Sequence, residues 1–560
     1  MKSKERCELA EDQDFIIVEG LFKEFERGEP AYQDVNFTIK EGHSFGILGK
    51  SGSGKSSLMH ALRGTPEYRP TKGKVTYRIS VCPNAACMDV DYPSKAGQNC
   101  PVCGAILELK ELDFWEEASK NSLIFRALYN RISIMLQRTF ALFGELPVLA
   151  NLIDALDRAG CPEKRRDGKA AGLLSKVKMG HRALHIARDL SGGEKQRVVF
   201  AMALAKDPLI FLADEPTGTL DVLTSTAIHK VMKDAVQKDK MTLVVTSHWP
   251  SAVEELAEEA ILLEDGKIVL HDRSDVVAKE FMSKVEYVKA PERTFDNTLI
   301  SVKNCTKWYY TFDRGIIKAV DGVDLDIYEG EIFGLVGLSG SGKTSLAHML
   351  AGLKTITKGH IYVHIGDDWV DMSIPGPSER GRATRYFGVL HQEYALYPHR
   401  TILENLTGAI EYAIPEELKT NKAYEALKAV NFTNAEIENI LYKFPDEVSE
   451  GERHRVAIAR ILIKEPRICF LDEGTGTADP LTRMEIVRSI FNSRDLLNQT
   501  YIIISHDIDF VLAACDRAAL MKDGKILMVG KPPEVIDYFK SLESKESKES
   551  KESKGVEESV

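Results

Sequence analysis

Gly49-Lys50-Ser51-Gly52-Ser53-Gly54-Lys55-Ser56 decides the fold of this chain. The octet meets the pattern G-x-x-x-x-G-K-[ST] at every fixed position. The apolar run Ser44-Phe45-Gly46-Ile47-Leu48 reads as a strand before it, and Ser57-Leu58-Met59-His60-Ala61-Leu62 as the start of a helix after it. Glycines let the backbone curl so that its N–H groups, backed by a helix N-terminus, face an anion. Gly49, Ser51, Gly52, Gly54 and Ser57 are the expected cradle. Lys55 neutralises the β- and γ-phosphates of a nucleotide, and the Ser56 hydroxyl ligates Mg²⁺.

The octet has an echo at Gly337-Leu338-Ser339-Gly340-Ser341-Gly342-Lys343-Thr344, followed by Ser345. An aromatic precedes each copy, Phe25 and Tyr309, either as a core residue or as a face for an adenine ring. Gln137 and Gln392 each follow a short apolar strand and are placed to sense metal and water. Strand-like 209–213 runs into Asp214-Glu215, and 468–471 into Asp472-Glu473. Each Asp suits the Mg²⁺ shell beside Ser56 or Thr344 and the adjoining Gln, and each Glu is placed to polarise an attacking water. His248 and His506 end the next strands, within reach of a γ-phosphate.

The spacings repeat without a gap in the second half of each copy. Ser191 to Glu215 and Ser449 to Glu473 are both 24 residues; Glu215 to His248 and Glu473 to His506 are both 33. Lys55 to Gln137 spans 82 residues against 49 from Lys343 to Gln392, so the first copy carries 33 extra. A repeat of this length means duplicated domains. The fold expected is α/β: two tandem phosphate-loop NTPase domains, each with a mainly parallel sheet core and a helical subdomain. The boundaries read as an N-terminal extension 1–14, a first domain 15–272, a linker 273–298, a second domain 299–540 and a charged tail 541–560. Within the first domain 141–190 reads as mostly helical, with a charge- and glycine-rich loop near 160–168.

Cys82, Cys87, Cys100 and Cys103 lie inside the excess, within the inserted segment 74–120. Two cysteine pairs separated by 12 residues suit a small ribbon closed on a tetrahedral structural Zn²⁺; an iron or iron–sulfur site and unliganded thiols are the alternatives. The remaining cysteines are scattered, with buried thiols the default. A formal charge of −11 argues against broad binding to nucleic acid or to an anionic membrane. No apolar run approaches a membrane span, and 1–14 carries no apolar signal segment, so the expectation is a cytoplasmic protein with reduced thiols. The (Ser-Lys-Glu) tail has too little apolar content to order itself.

Leu190-Ser191-Gly192-Gly193-Glu194-Lys195-Gln196-Arg197 and Asp-Glu-Pro-Thr-Gly-Thr-Leu-Asp at 214–221 resemble the signature and acidic motifs of ATP-binding-cassette ATPases. The resemblance covers 15–270 and 299–535. It implies two cassettes that pair within one chain, each ATP held between one phosphate loop and the other cassette's signature turn. Lys55 would then work with Ser449 and Gly451, and Lys343 with Ser191, Gly192 and Gly193. Glu450 stands where the family has the first Gly of Ser-Gly-Gly, Gly474 replaces its Pro and Ala478 its Leu, which implies unequal ATP sites. The cysteine-bearing insertion is similar to that of the cassette ATPases serving methyl-coenzyme M reductase in methanogenic archaea. That likeness implies ATP-dependent reductive activation of the reductase with its activation and redox proteins as partners. A fused ATP-binding subunit of a peptide or nickel importer and a ribosome-associated cassette factor are the other readings.

Overall fold

The apolar strands are short and buried on both faces, which requires helices on either side of a parallel sheet. The computed structural model describes residues 13–25, 30–136, 142–218, 222–289, 291, 293–311, 315–338, 340–391, 396–410, 414–472 and 478–542. The chain divides into two units, Met1–Val285 and Glu286–Val560.

In the first unit the main sheet runs, edge to edge, Lys267–Arg273, Glu259–Glu264, Ser44–Leu48, Thr242–Ser247, Ile210–Asp214 and Ile132–Met135. Only the outermost hairpin is antiparallel. Ser44–Leu48 is therefore interior, and the loop leaving it opens beside the ends of the strands that carry His248 and Asp214. A second, antiparallel sheet places Asp14–Glu24 between Pro30–Lys40 and Lys72–Val81. Phe15, Phe37, Phe45, Leu58, Met59 and Tyr77 belong to the buried core these sheets share with helix Lys55–Arg63. Helices Val148–Arg158, Glu163–Lys176 and Gly192–Ala203 form the helical part.

The second unit repeats the plan. Its main sheet runs Phe387–Leu390, Ile468–Asp472, Thr500–Ile504, Ile332–Val336, Arg517–Lys522 and Lys525–Gly530. Its antiparallel sheet runs Gly315–Tyr328, Thr298–Thr311, Lys358–Ile365 and Asp368–Asp371. Here Lys358–Ile365 turns into Asp368–Asp371 through residues 366 and 367. In the first unit, strands Lys72–Val81 and Glu108–Asp113 pair in the same way, with 82–107 between them. The segment peculiar to the first cassette is thus narrower than 74–120, since 74–81 and 108–113 are sheet.

Two further expectations are revised. The loop expected near 160–168 is helix from 163 on, within Glu163–Lys176: Pro162 caps the N-terminus, and neither Gly168 nor Gly172 has a neighbour within 4 Å of an added Cβ. The connection expected at 273–298 begins with helix Ser274–Ser283, whose Val277, Ala278 and Phe281 are buried. Their i, i+1, i+4 spacing is a helical apolar stripe that the surrounding charge obscures. Among the described residues no helix is long and apolar enough to cross a membrane.

Candidate nucleotide sites and a cysteine cluster

Each phosphate loop curls around its own lysine. Lys55 Nζ donates to the carbonyls of Gly49 at 2.9 Å and Lys50 at 2.7 Å; Lys343 Nζ donates to Gly337 at 2.7 Å and Leu338 at 2.9 Å. Helices Lys55–Arg63 and Lys343–Leu350 start at Gly54 and Gly342, with φ of 99° and 103°. Gly52 and Gly340 also have positive φ. A Cβ on Gly54 would lie 2.0 Å from the Ala31 carbonyl oxygen, and one on Gly342 2.0 Å from that of Ala319. Ser53 Oγ and Ser341 Oγ are buried without a hydrogen-bond partner among the described residues. A loop with orphaned hydroxyls, a lysine and a helix N-terminus behind it fits the phosphates of ATP.

The first cassette gathers its acids at the strand ends. Ser56 Oγ donates to Asp214 Oδ1 at 3.0 Å, so the hydroxyl and carboxylate expected to hold Mg²⁺ are adjacent. Bound there, Mg²⁺ would neutralise phosphate charge. Glu215 Oε1 is 2.9 Å from His248 Nδ1 and 3.9 Å from Lys55 Nζ. Burial alone raises the Glu215 carboxyl, but the His248 hydrogen bond and the charges of His248 and Lys55 outweigh it and hold the group below the ordinary glutamate value. Glu215 is therefore a carboxylate near neutral pH, able to orient water and accept its proton. His248 is buried and its Nε2 has no partner, leaving a donor or acceptor for a phosphate oxygen.

In the second cassette, Asp472 ends its strand buried, with His348 Nε2 at 3.5 Å. His506 follows the next strand and is half-buried. Thr344 and Ser345 open helix Lys343–Leu350. Gln137, Gln392, Glu473, Ser339 and Gly474 lie outside the described residues.

Phe25 is no core residue. It is 40% exposed at the end of its strand, edge-on to Tyr68 at 5.8 Å, and Tyr68 stacks on His60 at 4.5 Å. Tyr68 lies outside every motif, so nothing in the sequence singles it out. Tyr309 carries the ammonium groups of Lys307 and Lys354, each 5.4 Å from its ring centre.

The signature turns are helix starts with reciprocal caps. Ser191 accepts from Glu194 N at 3.3 Å while its own N donates to Glu194 Oε2 at 2.9 Å; Ser449 and Glu452 do the same at 3.2 and 2.8 Å. Gly193 is sterically required, because a Cβ there would meet Thr224 Cγ2 at 2.3 Å, whereas at Gly451 the nearest atom is at 3.2 Å. Glu450 occupies the first helical position, where a carboxylate favours the helix dipole, and lies 3.9 Å from His454.

Four thiols come together at the tip of the inserted segment. The sulfurs of Cys82, Cys87, Cys100 and Cys103 all lie within 4.8 Å of one another, with Cys82–Cys103 at 3.3 Å and Cys87–Cys100 at 3.7 Å. Tetrahedral Zn–S bonds place sulfurs about 3.8 Å apart, so the four thiols are close enough together to fit a four-thiolate ion. The turns are tight: Cys87 N donates to Asn84 O, and Gly104 N to Cys100 O. The backbone N–H of Ala105 and the Cys82 thiol bring Cys103 down to about 7. Of the other cysteines, Cys305, Cys469 and Cys515 are buried thiols, as expected, while Cys161 is half-buried.

A family model described as ABC transporter matches residues 32–218 and 320–476, more than half of the chain. The chain belongs to the ATP-binding-cassette family. It is accordingly an ATPase with two cassettes in one polypeptide. One cassette relative, an uncharacterized ABC transporter ATP-binding protein of Methanocaldococcus jannaschii, is 52% identical over 90% of this chain and 93% of its own length. A second uncharacterized cassette protein of the same organism is 29% identical, over 91% of this chain and 94% of its own. Among solved structures, RNase-L Inhibitor covers 94% of this chain and 92% of its own with a TM-score of 0.56 at 21% identity. A model of ribosome-bound archaeal Pelota and ABCE1 covers 94% and 80%, with a TM-score of 0.61 at 19% identity. At these identities the likeness is one of tandem-cassette fold alone.

Proposed function

We propose that this chain couples ATP binding and hydrolysis to conformational work on a protein partner, and that the partner is methyl-coenzyme M reductase during its ATP-dependent reductive activation. The observation that carries this reading is the thiol cluster built into only the first of two cassettes. Supporting it, the two cassette relatives described above come from a methanogenic archaeon. In sequence the chain resembles component A2 of the reductase's activation system. The nucleotide sites supply the work; the decorated cassette supplies a surface for docking the reductase and its redox proteins. Affinity purification from native methanogen extract tests the assignment: co-purification of the reductase supports it. A membrane permease in its place would point to an importer ATPase, and a ribosomal subunit to a translation factor.

Two parts of this reading are chemical. The cluster holds one structural Zn²⁺ that folds residues 82–107, a segment whose own apolar cluster is little more than Cys82, Cys100 and Leu107. Elemental analysis should return one zinc and no stoichiometric iron per chain. ATP binds at two unequal phosphate loops, that of Lys55 in the first cassette and that of Lys343 in the second, and its hydrolysis drives the conformational work.

A further inference from the structure

The two cassettes differ at a position that no nucleotide-binding motif includes. Two residues before the strand-end histidine, the first has Thr246 and the second Ile504. Both sit in the same place: Asp214 pairs in register with Thr246, and Asp472 with Ile504, across adjacent parallel strands. Thr246 and Ile504 are each fully buried.

In the first cassette the threonine hydroxyl ties two functional groups together. Thr246 Oγ1 donates to Asp214 Oδ1 at 2.5 Å, the oxygen that also accepts from Ser56 Oγ at 3.0 Å. The same Oγ1 accepts from the Glu215 backbone N at 3.2 Å, and that N lies 3.2 Å from the Thr246 carbonyl oxygen as well. Glu215 has φ of 46°, a left-handed conformation that a non-glycine residue adopts at a cost and that needs its surroundings to hold it. One buried side chain thus fixes the rotamer of Asp214 and the backbone turn that aims Glu215 at His248. Isoleucine has no hydroxyl with which to do either.

We propose that Thr246 is a positioning residue for Mg²⁺ and water at the first nucleotide site, and that the Thr246/Ile504 difference makes the two sites unequal from inside each cassette, whatever the signature turns add. The inference rests on the reading of these loops as ATP–Mg²⁺ sites.

Equilibrium binding of a fluorescent ATP analogue, with excess Mg²⁺ and with EDTA, tests it in a Lys343→Ala full-length chain, where the first site is the one left intact. In Thr246→Val the gain in affinity that Mg²⁺ confers should fall about tenfold, the scale of a lost hydrogen bond to a charged group, with EDTA affinity unchanged. Thr246→Ser should restore it, since the hydroxyl returns without the methyl. In the reciprocal Lys55→Ala chain, Ile504→Thr should raise the Mg²⁺-dependent gain of the second site. An equal gain in Thr246→Val and the parent, or a failure of serine to rescue, overturns the proposal. A parent that binds nucleotide in neither medium would remove the site reading itself, and the inference with it.

Discussion

At Gly54 the phosphate loop leaves no room for a side chain, because φ is 99° and the Ala31 carbonyl oxygen would sit 2.0 Å from a Cβ. Gly54→Ala should therefore abolish nucleotide binding, and a melt of the full chain should show destabilisation above the ~1–2 kcal/mol that left-handed strain alone costs. Gly52→Ala is the contrast, with φ of 81° but open space around its Cβ; it should bind ATP weakly and lose only the ~1–2 kcal/mol of left-handed strain in the melt. A charge exchange separates the cassettes on the far side of the sheet. Just before the loop-bearing strand, the first cassette has His43 beside Glu258 at 3.1 Å, and the second has Glu331 beside Arg517 at 3.0 Å. Burial pushes the Glu331 carboxyl up to about 7, against the opposing Tyr328 N–H and Arg517. Because its folded value lies above its unfolded one, protonation favours the fold. The contribution is full below the unfolded value and is lost as pH rises through about 7. Denaturant titrations across that range should show stability falling with pH, and Glu331→Gln should flatten this part of the profile.

At the scale of elements, the inserted segment is bolted to the sheet it decorates. Tyr92, between the two cysteine pairs, donates its hydroxyl to Leu209 O at 2.6 Å and accepts from Thr242 N at 3.1 Å. Leu209 and Thr242 stand at the starts of the two strands whose far ends carry Asp214 and His248. Ser94 adds bonds to Glu41, its N at 3.0 Å. Tyr92→Phe should lower stability by about 1 kcal/mol, read by thermal melting, with the cluster's metal content unchanged. Cys82→Ser should do the opposite: lose the metal and expose 82–107 to limited proteolysis, with the cassettes still folded. The sequence made the repeat, the mainly parallel sheets and the acids legible, because buried parallel strands carry unbroken apolar runs and their polar residues fall at one edge. It concealed what depends on packing. Val277 and Phe281 form a helix inside a charged stretch that reads as linker, Gly168 sits in an exposed helix that reads as loop, and strands extend into 74–81 because their partner is far away in the chain. Thr246 looks like one more β-branched strand residue until its neighbour across the ladder is known to be Asp214.

For the whole molecule, duplication supplied two copies of one machine and divergence made them different. The first cassette has a thiol cluster, a braced Asp214–Thr246–Glu215 group and a regular signature helix. The second has Ile504, Glu450 at the head of its signature helix and a two-residue turn where the first has the cysteine loops. On the function proposed above, such a chain would do unequal work at its two ATP sites, one site setting the rate and the other tuned by what the decorated cassette holds. The most direct test is single-turnover hydrolysis by full-length Glu215→Gln and Glu473→Gln variants. Each removes one of the two carboxylates proposed to orient water and leaves the other site's intact. The account predicts unequal losses, with one variant retaining most of the parent's rate and the other little of it. Equal losses in the two variants would contradict it.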